Sequence, residues 1–334
     1  MSDSRTRSRS TRRSFLDSPV SLVVSLMLLM AAASASAQSV DIPAIMTPDA
    51  NAPPTMIAVQ YGHQFKADVE DPGTEIARDN VMFMGAQKFE LGENTSMFAL
   101  GSYTLHAYDF SGNGGAANLY QWDDVHRLVI GALVGHDLNE RWRLIGGAVF
   151  RSWGEGGADY ADSITGGVIF GFDYHPNPNY SIGVLVGAFS ALEDKIALMP
   201  IPTLKWNFAE NWRWNIGLVS VFDPGVGTEL NWQISEKVSL GTGFAFQNRR
   251  YRLNDKTRRT AANGRTDEGG IGQETEIPVF AAIKWKPTKR SSVDLLAGIA
   301  LAGNVRVESS AGGRLKDDDY DPAPFVGLRG SFAF

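Results

Sequence analysis

The chain has 334 residues, 43% of them hydrophobic, with 35 Gly, 18 Phe, 9 Tyr, 8 Trp and no Cys, and a mean hydropathy of −0.15. The absence of Cys excludes disulfides, thiolate metal sites and a lipidated N-terminal cysteine, and near-neutral hydropathy excludes a bundle of membrane helices. Five Arg and two Asp lie in residues 1–37, which leaves 26 basic against 35 acidic residues and a net charge of −9, the wrong sign for a nucleic-acid partner.

Residues 1–17 are basic and Ser-rich and lead into an apolar run from Val20 to Ala33. That run is too short for a comfortable membrane span, and Ala35-Ser36-Ala37 follows it with the small-x-small spacing of a processing site. Residues 1–37 therefore read as a secretory signal peptide cleaved after Ala37. Thr11-Arg12-Arg13-Ser14-Phe15-Leu16 resembles a twin-arginine export motif. That route carries folded cargo, so we read the motif as a by-product of an Arg-rich leader. Residues 38–54, with Pro43, Pro48, Pro53 and Pro54, form a flexible lead-in.

From residue 55 onward no apolar run reaches the length of a transmembrane helix. One pattern recurs instead: segments of about 10–15 residues with alternating side-chain character, the signal of strands. Short turns are expected at 91–94, 138–140, 176–179, 209–211, 235–237 and 287–290. Longer connections are expected near 67–78, 109–122, 154–161, 191–195, 222–225, 252–269 and 308–322. Six short and seven long connections in alternation make fourteen strands, an even count that brings both ends to one side. The expected fold is all-β: a closed antiparallel transmembrane β-barrel of about 14 strands over 55–334, with periplasmic ends and a location in the cell outer membrane.

The alternation places Val326, Leu328, Phe332 and Phe334 on one face, with Gly330 among them, and Gly327, Arg329 and Ser331 on the other. One segment earlier, Val293, Leu295, Ala297, Ile299, Leu301, Val305 and Val307 share a face against Asp294, Asn304, Arg306 and Glu308. Before that, Ile277, Val279, Ala281, Ile283 and Trp285 oppose Glu274, Glu276, Lys284 and Lys286. Such strands suit a lipid-facing exterior around a wet interior. Trp142, Trp206, Phe208, Trp212, Trp214, Trp232 and Trp285 lie beside the short turns, as in an aromatic girdle at headgroup level. Phe332 and Phe334 on an alternating final segment are similar to the signal that barrel-assembly machinery reads.

Asp319-Tyr320-Asp321-Pro322-Ala323-Pro324-Phe325-Val326-Gly327-Leu328, Ile277-Pro278-Val279-Phe280 and Leu198-Met199-Pro200-Ile201-Pro202-Thr203-Leu204 resemble the domain-of-unknown-function 6268 family of outer-membrane β-barrel proteins. The resemblance spans most of 55–334 and implies fold and location, with no activity or site residues. Pro202 and Pro278 fall inside strands, where proline costs a ladder hydrogen bond, so a bulge or bend is expected at each.

The lumen-facing candidates are Arg127, Arg143, Arg151, Lys205, Arg213, Glu229, Glu274, Glu276, Lys284, Asp294 and Arg329. Charges of both signs would select ions or pair to seal a narrow lumen. His106 and His126 flank one long connection and could meet across it; His63, His136 and His175 complete the histidines, and no Ser/His/acid or metal-ligand spacing appears. The glycine runs at 112–115 and 154–157 precede no helix pattern and read as flexible loops rather than phosphate cradles. Arg249, Arg250, Arg252, Lys256, Arg258, Arg259 and Arg265 read as a solvated loop with its base strand, or as contacts for lipopolysaccharide phosphates or a loop folded over the pore. Asp317, Asp318, Asp319 and Asp321 read as a solvated acidic loop, with divalent-cation binding as the sharper alternative.

No metal or cofactor is expected. The expected partners are outer-membrane lipid, lipopolysaccharide, the barrel-assembly machinery and a small solute. Three functions compete: a passive channel or transporter for a small solute, a structural or surface-interaction barrel with a closed lumen, and, last, a membrane-embedded hydrolase.

Overall fold

The structure, a computed structural model, describes residues 55–334 apart from 113–119, 121, 194, 257, 261–265 and 289. The signal-peptide and lead-in assignments fall outside the described residues.

Eleven wall strands come first: β1 (Thr55–Asp68), β2 (Thr74–Gly92), β3 (Thr95–Gly112), β4 (Asp124–Asp137), β5 (Trp142–Glu155), β6 (Ile164–Asn177), β7 (Tyr180–Ser190), β8 (Ile196–Ala209), β9 (Trp212–Ser220), β10 (Pro224–Gln233) and β11 (Val238–Arg252). A short hairpin, β12 (Arg258–Thr260) and β13 (Thr266–Glu268), fills the next connection. The wall resumes with β14 (Ile271–Thr288) and β15 (Ser291–Glu308) and ends with β17 (Ala323–Ala333); β16 (Arg314–Tyr320) continues the line of β17 along β15. One four-residue helix, α1 (Tyr160–Ser163), sits between β5 and β6, capped by Asp159.

Neighbours in sequence pair antiparallel around the ring, β11 pairs with β14, β14 with β15, β15 with β17, and β17 returns to β1. The result is a closed antiparallel barrel of fourteen strands. Closure matters because an open sheet edge leaves a row of donors and acceptors unpaired in hydrocarbon, at a cost for each. The six short turns all lie at one end and the seven other connections at the opposite end. The connection at 221–223, expected among the long ones, has only three residues, and it is buried.

Outward positions are apolar and exposed: Ile57, Val59 and Tyr61 on β1, Leu128 and Ile130 on β4, Leu295 on β15, and Val326 and Leu328 on β17. Their neighbours in sequence point inward and are buried, as Ala58, Gln60 and Gln64 are on β1. The girdle is present at the short-turn end, where Trp206–Trp214, Phe208–Trp212 and Trp212–Trp232 are in ring contact.

Two features depart from a regular alternation. On β15, Ala302 takes a positive φ of 51° and the β14 register slips between Thr275 and Ile277. A one-residue bulge exchanges the two faces of a strand. Val305 and Val307, expected outside with Leu295, are therefore fully buried inside, and Asn304, Arg306 and Glu308 do not share a face with Asp294. On β3 to β8, the interior is not wet: Leu100, Val129, Leu133, Ile145, Val149, Ile169, Leu185, Phe189, Met199 and Ile201 form one buried apolar cluster on the inner wall.

Candidate functional site: a lumen closed by the β9–β10 tip

The apolar inner wall has a partner. β9 and β10 are the shortest wall strands and their hairpin tip turns into the barrel. Gly217, at a φ of 146°, supplies the bend on β9. Beyond that bend, Leu218 and Val226, which pair with each other in the outward register of the hairpin, pack on the inner-wall cluster. The back of the hairpin thus becomes core.

The tip, Val221-Phe222-Asp223, crosses the lumen. Arg329 Nη2 of β17 donates to the Ser220 carbonyl (2.6 Å), Gln60 Nε2 of β1 to that of Val221, and Asn80 Nδ2 of β2 to that of Phe222 (3.4 Å). The Phe222 ring meets Phe325 edge-on at 4.8 Å and lies under the Arg78 guanidinium. It occupies the space left by Gly62, where an added Cβ would overlap it.

Asp223 holds the tip electrostatically. Its carboxylate pairs with Arg127 and with Arg249 (2.5 Å), and His106 Nε2 stands 3.4 Å away. Arg249 continues to Glu274 (3.2 Å) and Glu276 (2.8 Å), which also pair with Arg78. Three guanidiniums face three carboxylates with side chains at most 2% exposed, so the cluster is close to neutral. Buried charge persists only where it is paired and hydrogen-bonded. Tyr108 donates to Glu274 (2.7 Å), Tyr320 to Glu274 and Glu276 (3.0 Å each), and Arg78 Nη2 to Gln64 Oε1 (2.8 Å). Aromatic rings close the long-loop side: Trp122 and Trp153 each lie within about 6.2 Å of Tyr251, and Arg127 stacks over Trp153 at 4.7 Å.

Below the tip a cavity of about 1280 Å³ opens at the short-turn end. Its lining includes Arg143, Lys205, Arg213, Glu229, Lys284, Asp294 and Arg329. Lys284 pairs with Glu229 (2.5 Å), Arg329 with Asp294 (3.9 Å) and Arg143 with Asp137 (3.6 Å). The structure thus divides the sequence-derived lumen candidates: seven surround this vestibule, while Arg127, Glu274 and Glu276 belong to the sealed cluster and Arg151 to the inner wall, where it lies over Phe189 and donates to Thr165 Oγ1.

Arg78 and Asp223, the hub of the closure, were not anticipated from sequence. The available signal was the flanking of Asp223 by Val221-Phe222 and Pro224-Gly225, an apolar setting unlike a solvated loop. Arg249, Arg250 and Arg252 are buried rather than solvated. Arg250 pairs with Glu193 and Glu308 (2.5 Å to the latter), and Arg252 Nη2 donates to the Leu192 carbonyl (3.0 Å). Lys256 is exposed, and the side chains of Arg258, Arg259 and Arg265 lie outside the described residues, as do residues 113–115 of the first glycine run.

His106 and His126 do not meet. His106 is buried in the lumen beside Asp223, whereas His126 lies on the other face of the wall, bonded to the Tyr103 hydroxyl (2.8 Å). At the long-loop end Asp317 pairs with Arg306 (3.0 Å) and Arg314 (3.1 Å), and Asp318 with Lys316 (3.0 Å). Those carboxylates are committed to cations of the chain itself. Tyr120, in the β3–β4 connection, donates to Asp318 (2.8 Å); burial, and then this bond to a carboxylate, raises its phenol above the ordinary tyrosine value. Among the described residues no group of His, Asp and Glu is arranged to hold a metal ion.

No family model matches the chain, and no curated protein does. Solved structures similar to it are outer-membrane barrels. An outer-membrane channel from Pseudomonas putida F1 is 11% identical, with 84% of this chain and 96% of that one covered, at a TM-score of 0.45. A Pseudomonas aeruginosa FadL homologue is 8% identical over 84% and 90% of the two chains, at a TM-score of 0.46. The KdgM porin, in complex with disordered oligogalacturonate, is 6% identical over 83% and 99%, at a TM-score of 0.32.

Proposed function

We propose that this chain is an outer-membrane channel for a small solute, with a periplasmic vestibule and a lumen gated at mid-height by the β9–β10 tip. The observation that carries this reading is the combination of a roomy, charged vestibule with a closure that hangs on one acidic side chain, Asp223. A barrel of fourteen strands lies between the filled eight-stranded and the open sixteen-stranded regimes, so a lumen of this size needs an internal element to shut it. The short turns face the periplasm and the other connections face outward in this reading. The resemblance of three short segments to the domain-of-unknown-function 6268 family, which no family model supports, would imply the same location.

A second reading, a structural barrel with a permanently closed lumen, draws on the sealed cluster itself. Conductance in planar bilayers separates the two. A gated channel gives low or intermittent conductance for the wild type and a several-fold increase for Asp223→Ala, which leaves Arg127 and Arg249 facing each other without their shared carboxylate. Zero conductance from both proteins rejects the channel.

A further inference from the structure

Resting on the channel reading, we propose that the seam between β8 and β9 is a lateral passage for an apolar solute, connecting the vestibule with the hydrocarbon of the membrane. The first observation is a gap in the ladder. β8 pairs with β7 along its length from Ile196 to Trp206, yet its pairing with β9 stops at Leu204↔Ile216. Above that point β9 bends at Gly217 and enters the lumen. β8 is left as an edge for Ile196–Thr203, and that stretch contains Pro200 and Pro202. Proline offers no backbone donor and is tolerated on edges, so the sequence lessens the cost of exposing this backbone to lipid.

The second observation concerns the two faces of the wall. Side chains alternate along a strand, so those in the outward register should not line an internal cavity. Leu204, Ile216 and Leu218 are in the outward register, shown by Trp206 on β8 and Trp214 on β9, and all three line the vestibule. Two residues further along each strand, Trp206 and Trp214 line a separate apolar groove of about 310 Å³ on the outside, with Phe208 and Leu230. One step of the ladder therefore separates a lipid-facing groove from the internal cavity, and the residues at that step are apolar on both strands. An ion gains nothing from such a wall; a hydrocarbon does.

The experiment uses the full-length protein in the outer membrane of Gram-negative cells, with N-phenyl-1-naphthylamine, a neutral apolar dye, as probe. The chain has no Cys, so Leu204→Cys with Ile216→Cys, which pair directly across the seam, give a single disulfide staple. Cells making the wild type are expected to take up the dye several-fold faster than cells without it. Oxidation of the stapled variant should return uptake to background, and reduction should restore it. If the staple does not close, Ile216→Trp, which fills the same step, should lower uptake in its place. Ion conductance of the same variants is measured in parallel. Dye uptake unchanged by both variants, with conductance intact, overturns the lateral passage and leaves the channel standing. No conductance and no dye uptake above background from the wild type remove the channel reading, and the lateral passage with it.

Discussion

Asp223 is one carboxylate for two buried guanidiniums, and the closure of the lumen depends on it. Removing one partner of a buried pair typically costs about 3–5 kcal/mol, because the charge left behind stays buried; here Arg127 loses the Asp223 carboxylate while Arg249 keeps Glu274 and Glu276. Asp223→Ala should therefore lower the thermal unfolding midpoint, read by the heat-induced mobility shift of the barrel in gels, as well as open the lumen. Gly62 acts at the other end of the same contact. Gly62→Leu places a side chain where Phe222 lies, and overpacking of this kind costs about 1–3 kcal/mol. Its expected signature is a lower unfolding midpoint together with raised conductance; a variant with both unchanged contradicts the packing of the tip against β1. The inward direction of Glu274 and Glu276 was legible from strict alternation with Ile277 and Val279. Asp223 was not, because three residues between two strands look like a turn, and nothing local states that a turn is swallowed by the barrel.

The number of wall elements was readable because turn chemistry recurs at strand spacing: Gly92 to Thr95, Asn177 to Tyr180 and Ala209 to Trp212 each join two alternating segments. The face of each element was readable only as far as the ladder stayed regular. β15 shows the limit, since a single residue at Ala302 moves Val305 and Val307 from the lipid side to the interior. Ala is not a residue that announces a positive φ, so sequence carries no warning. Ala302→Val puts a β-branched side chain at a positive φ and Ala302→Gly relieves it, whereas deleting this extra residue would only close the ladder with both valines still inside. We expect Ala302→Val to lower the unfolding midpoint of the heat-modifiable form by several degrees and Ala302→Gly to hold or raise it; equal midpoints for all three proteins contradict the bulge. Pro202 and Pro278 behaved differently from each other. Pro202 lies on the stretch of β8 that lacks β9, while Pro278 lies just beyond the register slip between β14 and β15. Both are places where a missing donor does little harm.

At the scale of the whole molecule, the barrel is two structures stacked along one axis. The short-turn half is an ordinary wall around a charged vestibule, with its aromatic girdle outside. The long-loop half is filled: the back of β9–β10 packs on the apolar inner wall of β3–β8, and its tip completes a neutral charge cluster against β1, β2, β11 and β14. Sequence showed the outside of this object well, because lipid imposes one rule on every strand. It showed the inside poorly, because lumen residues answer to partners far away along the chain, as Arg78 does to Glu274 and Glu276.

The most direct test of the account is whether the tip crosses the lumen. In a chain without other cysteines, Gly62→Cys with Phe222→Cys places two thiols where the glycine and the ring now touch. Oxidation of the protein in native membranes should form the disulfide readily, giving a reduction-sensitive mobility difference after denaturation. If no disulfide forms while the barrel remains folded, the tip does not reach β1 and the lumen is not closed in the way described.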